Sequence, residues 1–179
     1  MQALLRFSGA IDRLNERLGM LANVLVLLCC MISAANAMIR YAFDTSSNGW
    51  LEAQWYMFAV IVMFGASYTL KRNEHVRVEI FYLYLSERGQ YWLDLIGALL
   101  FLIPVCVLLA VLSWPFFMQS FVVDETSPNA GGLLRWPIKL VLPVGFALIA
   151  LQGVSEVIKR IAALRGVTKI DAHYERPMQ

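Results

Sequence analysis

The stretch LIGALLFLIPVCVLLAVLSWPFFMQSFVV, residues 95–123, runs for 29 residues without a charge between Asp94 and Asp124. As an α-helix it reaches about 44 Å, against a hydrocarbon core of about 30 Å. A segment of this length spans a bilayer with residues to spare, so it tilts, kinks or projects. Pro104 and Pro115 offer places to kink.

Two further runs lie upstream. Residues 18–39 carry no charge between Arg17 and Arg40, and residues 53–70 carry none between Glu52 and Lys71. Both approach the roughly 20 apolar residues a spanning helix needs. A fourth run, 140–155, is shorter. Extending it to 133–158 adds only Arg135, Lys139 and Glu156, near its ends, where long side chains snorkel to the headgroups. With 59% hydrophobic and 16% charged residues, a soluble globule of this size has no core to hide four such runs. The expectation is an all-α integral membrane protein with four transmembrane helices plus short interfacial amphipathic helices. It forms a single membrane domain over residues 1–179, with spans at about 18–41, 51–71, 91–121 and 136–160. Ala35-Asn36-Ala37 resembles a signal-peptidase site, but about twenty residues precede the apolar run, long for a signal peptide's basic segment.

Lys and Arg orient the spans. The N-terminal arm, the second loop and the tail hold twelve of them. The first loop (Arg40) and the third (Arg135, Lys139) hold three. The positive-inside rule puts the rich set, and hence both termini, in the cytoplasm. Residues 161–179 then form a cytoplasmic tail. Trp50, Trp55 and Trp136, with Trp114, fall near outer span ends and Trp92 near an inner one, as interface anchors do.

Residues 1–17 read as a basic amphipathic arm. Leu4, Leu5, Ile11, Leu14 and Leu18 share much of one face, with Arg6, Arg13 and Arg17 available to lipid phosphates. The alternative is a frayed tail. The short first loop makes spans one and two antiparallel neighbours. Arg40 closes span one and Glu52 opens span two, so the two are expected to pair and pin the hairpin. Asn36, one turn before Arg40, reads as hydrogen-bonding glue between helices. Residues 80–85 are too short to span and read as an interfacial turn. His75 reads as a solvated interface histidine, with a pH switch as the alternative. The third loop, 124–132, is full of turn formers and leads to Trp136-Pro137, with Pro137 near a helix start.

Chemistry is sparse. Cys29, Cys30 and Cys106 lie inside spans and read as packing residues. His75 and His173 lie outside them, so no axial pair for haem sits at mid-span. No nucleophile–base pair, metal motif or phosphate loop occurs. No cofactor, no catalytic residue and no nucleic-acid partner is expected. Gly65, Ala66, Gly97, Gly145 and Gly153 suit close helix packing, as in an accessory subunit.

Four features in order carry a resemblance. They are Asn36-x3-Arg40-Tyr41-x-Phe43, Trp50-x-Glu52-x2-Trp55, Arg72-x2-His75-Val76-Arg77-Val78, and Glu125-Thr126-Ser127-Pro128 leading to Gly132-x3-Trp136-Pro137-Ile138-Lys139. Together, over about residues 21–160, the chain resembles the small membrane subunit (DctQ-type) of tripartite ATP-independent periplasmic (TRAP) transporters. Many members carry two adjacent acids where this chain has Glu52-Ala53. The resemblance implies a bacterial inner-membrane location and two protein partners beside the lipids. One is a large DctM-type subunit holding the transport site; the other is a periplasmic substrate-binding protein. It implies uptake of a small organic acid driven by an ion gradient, usually sodium, with this chain as scaffold. Asp44, Asp124 and Glu125, on the outer loops, are the expected contacts for the binding protein. The competing readings are an accessory subunit of a membrane redox enzyme and a small homo-oligomeric exporter.

Overall fold

The computed structural model describes residues 1–45, 47–74, 85–129 and 131–167. Four helices carry the fold: α1 (Gln2–Phe43), α2 (Asn48–Arg72), α3 (Glu87–Val122) and α4 (Trp136–Leu164). Each is long and apolar enough to cross a membrane. Among the described residues no strand forms, and the only β-type pairing is an isolated antiparallel bridge between Thr126 and Leu134. Each of the four stretches expected to span lies inside one of these helices.

The arm is the first four turns of α1 rather than a separate element. Its inward face is not the leucine face. Ser8, Ile11, Asn15, Gly19 and Ala22 are buried, at the three- and four-residue spacing of one helix stripe. Leu4 and Leu14 are exposed, as are Arg6, Arg13 and Arg17. Small and amide side chains win this face because α4 approaches closely there.

Chain termini of the helices follow local rules. Asp44 and Asn73 close α1 and α2 in the left-handed conformation, at φ 50° and 60°. Ser86 caps α3, its side chain accepting the Gly89 N–H at 3.4 Å. Pro137 sits in the first turn of α4, where its missing N–H costs nothing. Within α3, residues Ala98–Leu102 form a π-helical segment immediately before Pro104. A wider turn there accommodates a proline that cannot donate to the helix ladder.

The fourth helix is central. It packs against each of the other three, while α1 pairs with α2 and no comparable contact joins α2 to α3. Gly145 lets α4 meet Met63 of α2 closely, and Gly19 does the same for α1 against Tyr68. Gly153 faces Leu102 and Ile103. Gly65 and Gly97, also expected to serve close packing, border open space instead. Between α2 and α3, over α4, a cleft of about 390 Å³ is left open. Its walls include Leu70, Leu93, Gly97 and Ala98, and Asp94, Glu156 and Arg160 close one end.

Candidate functional site

Polar chemistry concentrates at the two ends of the bundle. At the outer end the centre is Glu52, one turn into α2 and only 4% exposed. The carboxylate accepts the Leu133 backbone N–H at 2.8 Å and the Asn129 amide at 2.7 Å. The Ser127 hydroxyl donates to it as well. Residues 127–129 and 133 are thereby folded down onto α2. Arg135 N–H donates to the Glu125 carbonyl at 2.8 Å, and Ser127 N–H to the Leu133 carbonyl at 3.0 Å. Tyr56 of α2 adds a bond from its hydroxyl to the Leu134 carbonyl at 2.9 Å. Two glycines allow the tight return: Gly131 has φ 71°, and a Cβ on Gly132 would lie 2.7 Å from the Ser127 carbonyl oxygen.

The expected Arg40–Glu52 pair does not form, and the reason is register. Glu16 meets Lys71, Gly19 meets Tyr68, and Cys29 meets the Gln54 carbonyl. Continuing that antiparallel register puts Glu52 opposite about Met31. Arg40 then lies nine residues farther, roughly 13 Å along the axis. Arg40 is exposed and Asn36 half-buried, and neither side chain has a polar partner among the described residues.

The outer acids divide. Asp44 and Asp124 are exposed, both at positive φ. Glu125 instead pairs within the chain, with Lys139 and with Arg135 at 3.3 Å. The Lys139 ammonium, hydrogen-bonded to it, is the largest influence holding its carboxyl well below the usual range, at about 2. Lys139 also lies 4.2 Å from the Phe116 ring centre. Trp50, Trp55 and Trp92 are exposed. Trp136 is half-buried, edge-on to Phe121 at 5.4 Å between centroids.

The inner end holds a belt that the residue-by-residue reading of the sequence missed. Asp12 of α1 accepts Ser155 Oγ at 2.9 Å and Gln152 Nε2 at 3.0 Å, and pairs with Lys159 at 3.2 Å. Lys159 also pairs with Glu156. Arg160 joins Glu156 to Asp94 of α3, the latter at 3.0 Å. Asn15 donates to Gln152 at 2.7 Å, and the hydroxyls of Ser8 and Ser155 meet at 2.7 Å. Nearby, Glu16 bridges α1 to Lys71 and Arg72 of α2. The signal was present: Ser8, Asp12 and Asn15 share one face of α1, and Gln152, Ser155, Glu156 and Lys159 share one face of α4.

Chemically this is fastening. Charges and amides are spent on one another at helix ends. Among the described residues, no group of three or more His, Cys, Asp or Glu is placed to hold a metal ion. The cysteines are free thiols, Cys106 buried in α3 and Cys29 and Cys30 on α1. His75, His173 and the residues 80–84 lie outside the described residues.

The family model for the DctQ component of tripartite ATP-independent periplasmic transporters matches residues 29–163. No curated protein and no solved structure gives a significant match. The matched range takes in the outer cap, three of the four helices nearly whole and most of the inner belt. This chain is therefore a multi-pass membrane protein and not an enzyme, and it belongs to the DctQ family, the small membrane components of tripartite ATP-independent periplasmic transporters.

Proposed function

We propose that this chain is the small permease subunit of a TRAP-type secondary transporter, working as a static scaffold. The large membrane subunit carries the transport site and moves against it. A periplasmic binding protein delivers a small organic acid, and an ion gradient, sodium in the usual case, drives uptake. Both termini face the cytoplasm of a bacterial inner membrane, in line with the twelve-to-three distribution of Lys and Arg.

One observation supports a scaffold role above the others. The strong polar groups of the bundle are consumed in locks between helices, at Glu52 outside and at Asp12, Glu156 and Arg160 inside. Charges paired this way rigidify a bundle and leave little for a moving ion path. Asp44 and Asp124, both exposed, are the outer acids left for the binding protein. Asn36 and Arg40 are better assigned to a partner than to the hairpin.

The test is transport in reconstituted vesicles. With the large subunit and binding protein present, omitting this chain abolishes sodium-driven uptake while the binding protein still binds its ligand. Uptake by this chain alone, or a bound haem, flavin or quinone on the purified chain, would overturn the proposal.

A further inference from the structure

Helix α1 sorts its charges by face. Asp12 and Glu16 are the acids of residues 1–43, and both turn toward the bundle. Asp12 pairs with Lys159 of α4, and Glu16 with Lys71 and Arg72 of α2. Arg6, Arg13 and Arg17 turn the other way. At about 3.6 residues per turn they lie on the side of α1 opposite the buried stripe of Ser8, Ile11, Asn15, Gly19 and Ala22. All three are exposed, and none has an acidic partner among the described residues. Arg13 donates from Nε to the Gly9 carbonyl of its own helix at 3.2 Å, which leaves its terminal amino groups for another acceptor. The same stripe continues past Arg17 as Met20, Val24, Leu27 and Met31, each more than half exposed. Spacings of three and four residues keep it on one face. One outward line of α1 thus changes from basic to apolar at Arg17, where the charge-free run to Ile39 begins.

We infer that Arg13 and Arg17 bind the phosphate of an anionic phospholipid whose chains lie along Met20, Val24, Leu27 and Met31. This needs only that α1 crosses a membrane, and it does not depend on the transporter reading. The two arginines are one turn apart, about 6 Å along the axis. Guanidinium groups hold phosphate oxygens through paired N–H donors. Charge selects the class of lipid. Two cations with no acid paired to them favour a headgroup of net negative charge over a zwitterionic one, whose own cation they repel. Arg6, seven residues before Arg13 on the same stripe, lies roughly 10 Å farther along and adds to the field. A second copy of this chain, packed on this stripe about a twofold axis, would set the arginines against themselves. A soluble acidic partner matches the arginines but not the apolar residues that continue their line. A phospholipid matches both parts, in the order in which its own phosphate and chains are joined.

The experiment uses the full chain in a neutral detergent, with phosphatidylglycerol or phosphatidylcholine added. Native mass spectrometry reads the lipid retained per chain. The expected preference for phosphatidylglycerol is about thirtyfold, from two cations each attracted to an anionic lipid. Arg13→Gln with Arg17→Gln removes that preference. Arg88→Gln with Arg165→Gln takes the same charge from two other exposed arginines and leaves it in place. Equal retention of the two lipids by the unaltered chain, a preference that survives in the first double variant, or one lost equally in the second would each overturn the inference. A further measurement keeps both arginines, so it stands even where a double variant fails to fold. A photo-crosslinking amino acid is placed at Met20, beside the change from basic to apolar, and illuminated in cells. The expected product carries an anionic phospholipid. A product with another protein or with a second copy in place of lipid would overturn the inference, as would one carrying zwitterionic lipid alone.

Discussion

Glu52 and Leu133 are joined by a bond of 2.8 Å from the Leu133 backbone N–H to the Glu52 carboxylate, across 81 residues of sequence. It ties the loop before α4 to the start of α2. Ser127 and Asn129 donate to the same carboxylate, so one side chain holds three points of the loop. Replacing it removes the only acceptor positioned for all three. In Glu52→Ala the loop therefore detaches from α2. Hydrogen exchange at the Leu133 amide rises from protected to loop-like, and added protease cuts between residues 125 and 135. Glu52→Gln is milder, because one amide oxygen remains to accept. An unchanged exchange rate in Glu52→Ala would show that the cap is held by something else.

The Glu125 clamp carries a pH prediction. Its carboxyl sits at about 2 in the folded chain, against an ordinary 4.5, chiefly because Lys139 hydrogen-bonds the charged form. A depressed carboxylate contributes stability that is complete above the unfolded value and lost as pH falls through the folded one. The stability contributed by the contact between Glu125 and Lys139 is thus constant from pH 7 down to about 4.5. It weakens below that and is gone only near pH 2. Following loop exchange or the Trp136 fluorescence across that range checks it. Lys139→Met moves the loss to higher pH, because the cation with the greater influence on Glu125 is removed.

Much of this architecture is legible in the chain because bilayer physics leaves few choices. Charge-free runs ended by Arg17, Arg40, Glu52, Lys71, Asp94 and Asp124 locate three helices at once. The Arg40–Glu52 pair fails because proximity in sequence gives no axial register. Register depends on which small residues meet, and Gly19 against Tyr68 sets it here. Glu125 was expected to face a partner, but its counter-ions lie ten and fourteen residues downstream, beyond a turn whose path composition does not specify. The inner belt escaped because each member, taken singly, resembles a solvated end-of-helix charge. Only the spacing on α1 and α4 together brings Asp12 to Lys159.

Close approach gives a prediction about packing. An added Cβ at Gly145 would stand 2.6 Å from Met63 Cβ, an atom too near the backbone to swing aside. Gly145→Ala therefore forces α2 and α4 apart. The expected loss is about 1–3 kcal/mol, typical of overpacking. Gly65→Ala serves as the control, since nothing lies within 4 Å of a Cβ there. Thermal unfolding of the two variants in the same detergent compares them directly. Equal midpoints would mean that α2 and α4 are not held at this distance.

Arg160 is the strongest single point in the inner belt. It is 8% exposed and joins Glu156 to Asp94, linking α4 to α3 where no other ion pair among the described residues does so. Removing one partner from such a group leaves a buried charge short of its counter-ion, which costs about 3–5 kcal/mol. In Arg160→Met, Glu156 keeps Lys159, and Asp94 loses its pairing with Arg160. Arg160→Met is therefore expected to lose about that amount, and the double variant Arg160→Met with Asp94→Leu to recover part of it. Recovery is the informative outcome, because it separates the loss of the Arg160–Asp94 pairing from a packing defect left by the missing guanidinium. A double variant no better than the single one would mean that α3 is held to α4 by its apolar seam at Leu95, Ala98 and Val157, with Arg160 acting through its stem.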